Sequence, residues 1–276
     1  MVRILILCIR LFDSVSTRII TFLFRLQQLL TGVLPAIASP EELTEFLQAH
    51  YGHTYRHAPS QYPEYSPIWA LEPWEKHVLA HHMHGSGTVL VLGTGVGRES
   101  IAIAQQGYRV LGLELHFDAL HWAVQRAAAR GAPVWFVQSS FLSIPVTSAS
   151  IDYILLPSVM YSAIPGRSAR QTWLRNIRAF LKPQGRAILN FMVVREPETA
   201  MHRLTLALAK YIMKLPGANK SYQSGDTCAQ GHFLHLFWTE EELRSEVAET
   251  GATVHALDWP SGFIVLSWPD SPIGSH

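Results

Sequence analysis

Cysteine and charge are both scarce in this sequence. The chain of 276 residues contains two cysteines, Cys8 and Cys228, and two thiols cannot supply a disulfide framework or a four-thiolate zinc site. We therefore expect a protein of the reducing cytoplasm. Charged residues make up 16% of the chain, below the usual share of about a quarter, so we expect an apolar segment or surface.

A basic excess is also missing. Lysine and arginine number 22 against 21 aspartates and glutamates, for a net charge of +1. Nucleic-acid binding depends on neutralising a row of phosphates, so this balance disfavours nucleic acid as a partner. A cluster of histidines, His81, His82 and His84, directly precedes Gly85, where we expect a helix to end and positive charge to be favourable. We interpret the cluster as a helix end and predict no metal site.

Apolar residues concentrate at the N-terminus, in residues 3–30. Five charges interrupt this segment: Arg3, Arg10, Asp13, Arg18 and Arg25. At about 100° per residue, the four arginines fall within an arc of roughly 80°, and isoleucine, leucine and phenylalanine cover most of the remaining surface. The pattern predicts a helix with a narrow basic stripe.

The spacing of these charges limits what the helix can do. Spanning a membrane is disfavoured, because each central arginine costs about 2.5–3.5 kcal/mol on insertion scales. A signal peptide is disfavoured, because the charges break the apolar region and no clean small-residue cleavage site follows. Two interpretations stay open: a helix lying in the membrane surface, and a helix packed on the protein's own core or on a second subunit. We expect Pro35 and Ser39-Pro40 to end the segment and Ser39 to cap the helix that follows.

Strands and helices alternate through the rest of the chain. The apolar run at residues 88–92, for example, is typical of a buried parallel strand. The predicted elements are helix 41–50, loop 51–67, helix 68–84, strand 88–92, helix 100–104, strand 108–113, helix 117–130, strands 134–137 and 151–156, helix 167–181, strand 186–194 and helix 198–214. This alternation predicts an open, mostly parallel α/β sheet with helices on both faces.

The turn after the first of these strands carries the clearest chemical signal. Gly93, Gly95 and Gly97 follow the strand directly, and they allow the backbone to approach a ligand at the carboxyl edge of the sheet. A dinucleotide fingerprint has a glycine where this chain has Arg98, which disfavours a pyrophosphate cofactor. Glu114 ends the second strand, and a carboxylate there suits an unphosphorylated ribose, as in NAD or S-adenosylmethionine.

Five longer segments extend this pattern. Residues 89–97 form the strand and glycine turn, residues 108–114 form the second strand with its acid, residues 180–186 lead into the fifth strand, and residues 237–243 and 248–252 surround a late helix. Together they resemble the motifs of class I S-adenosylmethionine-dependent methyltransferases of the bacterial small-molecule type. The resemblance covers roughly residues 68–268. It implies a Rossmann-like seven-stranded, mostly parallel sheet with an antiparallel final strand pair.

The resemblance also implies a cofactor and an activity. The cofactor is S-adenosylmethionine, and the activity is methyl transfer to a small molecule. The implied cofactor-binding residues are Gly93, Thr94, Gly95, Gly97, Glu114, Leu115, Ser140, Phe141 and Pro157. Two positions depart from the family pattern: Val91 replaces an acid in the first strand, and Ser140 replaces an acid near the adenine amino group. A catalytically inactive, membrane-associated binding protein and an NAD-type oxidoreductase therefore stay as alternatives.

The segments outside the core sheet are expected to cover the substrate. We predict an N-terminal helix and cap region over residues 1–67, a methyltransferase domain over residues 68–268, and a lid insertion at about 195–236 within it. Because of the apolar N-terminal segment, we expect a lipophilic substrate. The protein is then either cytoplasmic or held peripherally on the inner face of the membrane, and the sequence leaves its oligomeric state open.

Three residues are candidates for catalysis. In methyl transfer the cofactor supplies the electrophile, so the protein has to position two reactants and exclude water. A general base is required only where the nucleophile must lose a proton. Tyr161, His232 and His235 are the predicted groups for a base or a substrate anchor.

Overall fold

The computed structural model describes residues 2–56, 70–195, 199–229 and 231–269, and of residues 2–9, 11 and 229 it describes the backbone alone. The described helices are α1 (Val2–Ile37), α2 (Pro40–Arg56), α3 (Pro73–His82), α4 (Arg98–Ala104), α5 (Phe117–Ala129), α6 (Arg167–Arg178), α7 (Ala200–Ile212) and α8 (Glu240–Ala248). The described strands are β1 (Thr88–Leu92), β2 (Arg109–Glu114), β3 (Val134–Gln138), β4 (Ile151–Leu156), β5 (Leu181–Asn190), β6 (Met192–Val193), β7 (Asp226–Ala229), β8 (His232–Phe237), β9 (Thr253–Asp258) and β10 (Phe263–Ser267).

The main sheet has seven strands in the order β3-β2-β1-β4-β5-β10-β9. Strands β1 to β5 are parallel, whereas β10 runs antiparallel to both β5 and β9. The strand order reverses between β1 and β4, the point at which open α/β sheets bind ligands. This topology confirms the predicted fold class, including the antiparallel final strand pair.

Strand β1 shows how the centre of the sheet is buried. Leu90 and Leu92 belong to one hydrophobic cluster, and Val89 and Val91 belong to another. Alternate side chains of a strand point to opposite faces, so both faces of the sheet are covered, as in other parallel sheets. Val91, which stands where the family pattern has an acid, is therefore a core residue.

A small second sheet lies beside the main one. Its central strand β8 pairs in parallel with β6 and antiparallel with β7. The backbone amide of His235 in β8 donates to the carbonyl of Ser162 at 2.8 Å, which joins this sheet to the main domain. Strand β8 also packs against α2. The N-terminal region and the region predicted as a lid therefore contact each other.

The C-terminal part of α1 packs on α7 and β7. A side chain at Gly32 would lie 2.4 Å from the methyl carbon of Thr205, so glycine permits this close approach. Asn219 holds the last turn of α1, because its backbone amide donates to the Ala36 carbonyl at 3.0 Å and its side chain donates to the Pro35 carbonyl at 2.9 Å. These contacts join α1 to the body of the protein.

The first helix ends as predicted, and the second is longer than predicted. Helix α1 ends at Ile37, within the predicted boundary from Pro35 to Ser39-Pro40, and Asn219 binds its final carbonyl groups. Helix α2 extends to Arg56, so the first six residues of the predicted loop 51–67 are helical. The rest of that predicted loop, residues 57–67, lies outside the described residues.

Other boundaries differ because of local hydrogen bonds. Helix α3 begins at Pro73 instead of residue 68, after a capping box between Glu72 and Glu75, and positions 68 and 69 lie outside the described residues. Helix α6 ends at Arg178, since the carbonyls of residues 179 and 180 pair with amides at the start of β4. Consequently β5 begins at Leu181, before the predicted start at residue 186.

Much of α1 is exposed on the outside of the protein. Within the described residues, one helix is long and apolar enough by length and composition alone to cross a membrane, at Phe12–Ile37. Its exposed large apolar side chains are Phe12, Val15, Ile19, Ile20, Phe22, Leu23, Phe24, Leu26, Leu30, Leu34 and Ile37. This is the apolar surface that the low charge content predicts.

Candidate cofactor and substrate site

A cavity of about 290 Å³ lies at the carboxyl ends of β1, β2 and β4. One side consists of strand ends and the loops that follow them: Gly93, Glu114, Leu115, His116, Ser139, Ser140, Phe141, Leu142, Ser158 and Met160. The other side consists of residues from α2 and from the segment after β4: Thr44, Leu47, Gln48, Tyr51, Tyr55, Ala163, Ile164 and Pro165. The cavity therefore occupies the point where the strand order reverses.

The glycine turn after β1 forms one end of this cavity. Gly93, Gly95 and Gly97 all have positive φ, at 67°, 53° and 89°, a region that side chains other than glycine rarely adopt. A Cβ atom at Gly95 would lie 2.8 Å from the hydroxyl of Tyr55. The turn thus depends on glycine for its conformation and, at Gly95, for the close approach of α2.

Glu114 lies beside this turn, as predicted from its place at the end of β2. One carboxylate oxygen accepts the Gly95 amide at 2.9 Å, and the other accepts the His116 amide at 2.9 Å. Burial raises the pKa of Glu114 above its usual range, and the two backbone hydrogen bonds oppose that rise. Each carboxylate oxygen can accept a further hydrogen bond, so Glu114 retains capacity for ribose hydroxyls.

The loop after β3 provides polar and aromatic lining. Ser140 accepts the Leu142 amide at 3.1 Å through its hydroxyl oxygen, which leaves the hydroxyl hydrogen available to a ligand. The Phe141 carbonyl accepts a hydrogen bond from the Trp173 indole at 2.8 Å, and this fixes the loop against α6. The cavity lining includes three of the predicted cofactor-binding residues, Leu115, Ser140 and Phe141. Their contacts with adenine stay a prediction.

Like Gly95, three other predicted cofactor residues lie outside the cavity lining. Thr94 is buried, and its hydroxyl lies 2.6 Å from the Ser100 hydroxyl. Gly97 precedes the first residue of α4. Pro157 is buried, and its carbonyl accepts the Met160 amide at 3.1 Å. Direct contact of these three residues with a cofactor stays a prediction.

The segment after β4 has an unusual backbone. Ser158 and Val159 have φ of 55° and 54°, which is rare for a β-branched residue. The Val159 amide donates to the side-chain oxygen of Asn190 at 2.7 Å. Ser158 and Met160 reach the cavity, so this strained segment shapes its wall.

Sequence reasoning missed the contribution of α2. Tyr51 and Tyr55 line the cavity, and their rings stack with centroids 5.9 Å apart. The spacing of the two tyrosines, four residues apart, is typical of one helix face and was the available signal. The sequence analysis instead predicts a loop over residues 51–67, because tyrosine, proline and histidine are frequent there.

Tyr161, the first catalytic candidate, is fully buried. Its hydroxyl donates to Glu246 at 2.6 Å, and Glu246 also forms an ion pair with buried Arg170 at 2.8 Å. Burial and the Glu246 carboxylate raise the pKa of Tyr161 well above its usual value. This arrangement gives Tyr161 a structural contact, and its catalytic role stays a prediction that the geometry does not favour.

The two histidine candidates occupy different surroundings. His235 is fully buried, with Nδ1 2.7 Å from Asp226 and Nε2 3.3 Å from Glu242. His232 packs against Tyr51, with ring centroids 5.5 Å apart. Neither histidine lines the cavity among the described residues, but His232 contacts its wall. The structure therefore brings one of the three candidates next to the cavity.

Arg98 is engaged by neighbouring carboxylates. Its guanidinium donates two hydrogen bonds of 2.7 Å to Glu75 and one of 2.5 Å to Glu99. Burial raises the pKa of Glu99 to about 7, and the Arg98 charge opposes the rise. Arg98 is therefore committed to α3 and α4 and does not line the cavity.

The cavity fits the parts of S-adenosylmethionine. The glycine turn presents backbone without side chains at Gly93, Glu114 offers acceptors for ribose hydroxyls, and Phe141 and Leu115 provide apolar surfaces for the adenine ring. Three backbone amides of the turn already have acceptors within the protein, since Gly95 donates to Glu114, Thr94 to the Leu113 carbonyl and Gly97 to the Thr94 carbonyl, so these three are not free to bind a pyrophosphate. The donor set thus suits an adenosyl group carrying no phosphate.

Comparison with known proteins agrees with this geometry. Residues 89–185 match a protein family described as methyltransferase domain. No curated protein sequence matches the chain.

Several solved structures share the fold. The 1,6-didemethyltoxoflavin-N1-methyltransferase of Burkholderia thailandensis, with bound 1,6-didemethyltoxoflavin and S-adenosylhomocysteine, is 18% identical, with a TM-score of 0.59 over 84% of this chain and 92% of that chain. The CcbJ methyltransferase of Streptomyces caelestis is 16% identical, with a TM-score of 0.54 over 77% of this chain and 96% of that chain. A SAM-dependent methyltransferase of Methanosarcina mazei is 19% identical, with a TM-score of 0.51 over 72% and 99%.

The sheet, the glycine turn and Glu114 define the class of protein as a Rossmann-like methyltransferase fold. The family match shows a methyltransferase domain over residues 89–185, and this match together with the fold supports a class I S-adenosylmethionine-dependent methyltransferase. The same two findings support S-adenosylmethionine as the cofactor. The methyl acceptor is a separate question.

Proposed function

We propose that the chain transfers a methyl group from S-adenosylmethionine to a small lipophilic molecule by in-line displacement. The carrying observation is the asymmetry of the cavity. Glu114 contributes a carboxylate beside the glycine turn, whereas the lining contributed by α2 and residues 163–165 contains no charged residue among the described lining residues. Leu47, Tyr51 and Tyr55 supply an apolar and aromatic surface there. Such a wall suits an uncharged aromatic or aliphatic acceptor.

The protein's own residues are proposed to orient the reactants and exclude water. When bound, S-adenosylmethionine supplies an electrophilic methyl group on a sulfonium. Glu114 and the backbone at Gly93 hold the adenosyl end, Tyr55 lies against the glycine turn at Gly95, and Tyr51 extends the same aromatic surface. Positioning of this kind can supply a large part of the rate enhancement in a displacement reaction. The Burkholderia thailandensis enzyme, which holds a small molecule together with S-adenosylhomocysteine, supports a small acceptor.

We retain His232 as the proposed proton acceptor or substrate anchor. Its ring lies 5.2 Å from that of His50 and 5.5 Å from that of Tyr51. Burial, followed by the nearby charges of His232 and His53, lowers the pKa of His50. At neutral pH the His50 imidazole beside His232 is therefore uncharged.

The covering regions are proposed to be residues 1–67 and the lid insertion 195–236, with the methyltransferase domain over residues 68–268. Helix α2 supports this division, because it contributes five lining residues and packs against β8. The two regions would move together if the cavity opens. We place the protein in the cytoplasm, with peripheral attachment to the membrane through α1.

The two faces of α1 support membrane attachment. Eighteen residues make five full turns of an α-helix, so Arg18 lies on the same face as Ala36, which is buried against the protein body. Ile20 lies about 200° around the helix from Arg18, and Leu34 lies about 200° from Ala36; these two side chains are 65% and 38% exposed. The basic stripe therefore lies on the side of α1 that faces the rest of the protein. The apolar side chains lie on the side of α1 that faces away from the rest of the protein. A helix at the membrane surface requires this orientation.

Flotation with anionic liposomes tests the attachment. Ile19→Ser with Leu23→Ser removes apolar surface from the outward face, and the doubly substituted chain is expected to remain in the bottom fraction while the unaltered chain floats. A matched control, Thr17→Ser with Thr21→Ser, changes the polar side and should float normally. Equal recovery of all three proteins with the liposomes excludes docking through this face.

Product labelling tests the acceptor class. The purified chain is incubated with methyl-labelled S-adenosylmethionine and a lipid extract of its host cells, and label is expected in the organic phase. A Glu114→Gln variant should lose that label. Label that appears only in polar products would contradict a lipophilic acceptor, while leaving methyl transfer itself intact.

A further inference from the structure

A second cavity of about 480 Å³ lies between α1, α7 and the small sheet. Its described lining shares no residue with the first cavity. Gln28 and Thr31 contribute from α1, Leu206 contributes from α7, and Asp226 and Trp238 contribute from the small sheet and its exit. Neither the cofactor nor the methyl acceptor requires this space.

The charge at this cavity is negative. Asp226 is nearly fully buried, and its two oxygens contact His235 Nδ1 at 2.7 Å and the Gln223 amide at 2.8 Å. The other nitrogen of His235 lies 3.3 Å from Glu242. Two carboxylates therefore flank one imidazole, so with both ionised the group keeps a net negative charge even when the imidazole is protonated.

Opposing positive charge is missing from the cavity wall. The lining contains no lysine or arginine among the described residues. The nearest buried guanidinium in this network, Arg170, is neutralised by its ion pair with Glu246. A buried site with net negative charge attracts a positively charged ligand, because the low dielectric constant of its surroundings strengthens the interaction between charges.

Two further features are suited to a positively charged organic ligand. Nε2 of His202 is buried and has no hydrogen-bond partner among the described residues, and a neutral imidazole accepts a hydrogen bond there. The indole of Trp238 lies 4.9 Å from the His202 ring, and Tyr222 adds a second aromatic ring to the lining. Aromatic faces attract ammonium groups, while Leu206 offers surface for an apolar body.

We infer that the second cavity binds a small organic amine, with its ammonium group on Asp226 and its apolar body against Trp238 and Leu206. This site is separate from the one proposed for methyl transfer. Its ligand therefore does not have to be the methyl acceptor, and binding here can be measured without methyltransferase activity.

Three probes with one apolar body and different head groups test the inference. Phenylbutylamine, phenylbutanol and phenylbutyrate are titrated into the full chain by calorimetry. The amine is expected to bind at least about tenfold more tightly than the alcohol, because a hydrogen bond to a charged group exceeds a neutral one by about this factor. The carboxylate probe should show no binding.

Variants assign the binding to this cavity. Asp226→Asn should reduce amine affinity at least about tenfold, whereas Asp13→Asn, the same change at an exposed position of α1, should leave it unchanged. Leu206→Trp fills the cavity without touching the Asp226 and His235 pair, and it should abolish amine binding. If Asp226→Asn does not fold by circular dichroism, Leu206→Trp decides alone.

Several results would overturn the inference. The first is that phenylbutanol binds as tightly as phenylbutylamine. The second is that the Leu206→Trp variant binds phenylbutylamine with unchanged affinity. A third is amine binding that disappears when the chain is saturated with S-adenosylhomocysteine, since that assigns the amine to the first cavity.

Discussion

Substitution of Glu114 by glutamine tests the cofactor site most directly. The carboxylate currently accepts one backbone amide on each oxygen, from Gly95 and His116. Glutamine replaces one oxygen with an NH₂ group, which cannot accept, so one amide loses its partner and the negative charge disappears. Hydrogen bonds to a charged group contribute about 1.5–3 kcal/mol each. Loss of two such bonds to ribose hydroxyls costs about 3 kcal/mol, equivalent to about a hundredfold in affinity.

Calorimetric titration with S-adenosylhomocysteine measures this change. Glu99→Gln provides a matched control, because Glu99 is also a buried acid but bonds to Arg98 and does not line the cavity. The control should bind within a few fold of the unaltered chain. Glu114→Gln protein that keeps its thermal stability and binds S-adenosylhomocysteine with unchanged affinity would refute the assignment of the ribose site.

Two further substitutions test the buried charges. Glu246→Gln removes the partner of the fully buried Arg170 and should lower the free energy of unfolding, measured by urea titration, by about 3–5 kcal/mol. The control Glu249→Gln alters an exposed carboxylate and should have little effect. Similar losses of stability in both variants would contradict this prediction. Because the folded pKa of Glu99 is raised from 4.5 to about 7, its contribution to stability is full below the lower value and is lost as pH rises through the higher one. As the pH is raised from about 5 to 7, the Glu99→Gln variant should therefore lose less stability than the unaltered chain. If the free energies of unfolding of the two proteins change in parallel over this range, the pKa of Glu99 is not raised.

The parts of the fold that could be predicted from sequence have local causes. The apolar run of β1 and the glycines after it identify a buried strand and a tight turn within ten consecutive residues. The position of Glu114 beside the glycine turn could also be predicted from local sequence. Strands β1 and β2 are parallel neighbours, so their carboxyl ends lie together and the Glu114 carboxylate accepts the Gly95 amide. The mostly parallel arrangement of the main sheet follows from the alternation of such elements, whereas the antiparallel β10 is what the family resemblance implies.

The parts that could not be predicted depend on contacts between distant residues. The partner of Tyr161 is Glu246, 85 positions later in the chain, and no local pattern identifies it. Tyr51 and Tyr55 reach the cavity only because α2 packs against β8, which lies far along the sequence. The contact of Asn219 with the last turn of α1 likewise joins distant positions of the chain. Residue type alone therefore suggested chemistry at Tyr161, whereas burial gives it a structural contact.

The backbone at Ser158 and Val159 gives Asn190 influence over a cavity it does not line. Left-handed conformations at such residues are unfavourable by about 1–3 kcal/mol each, so they persist only while something holds them. Asn190 does this from β5: its side-chain oxygen accepts the Val159 amide, and its side-chain nitrogen donates to the Gly262 carbonyl at 2.8 Å, just before β10. The antiparallel edge of the sheet is thereby connected to the shape of the cavity wall. A substitution near residue 262 is therefore expected to change the shape of the cavity without changing any lining residue.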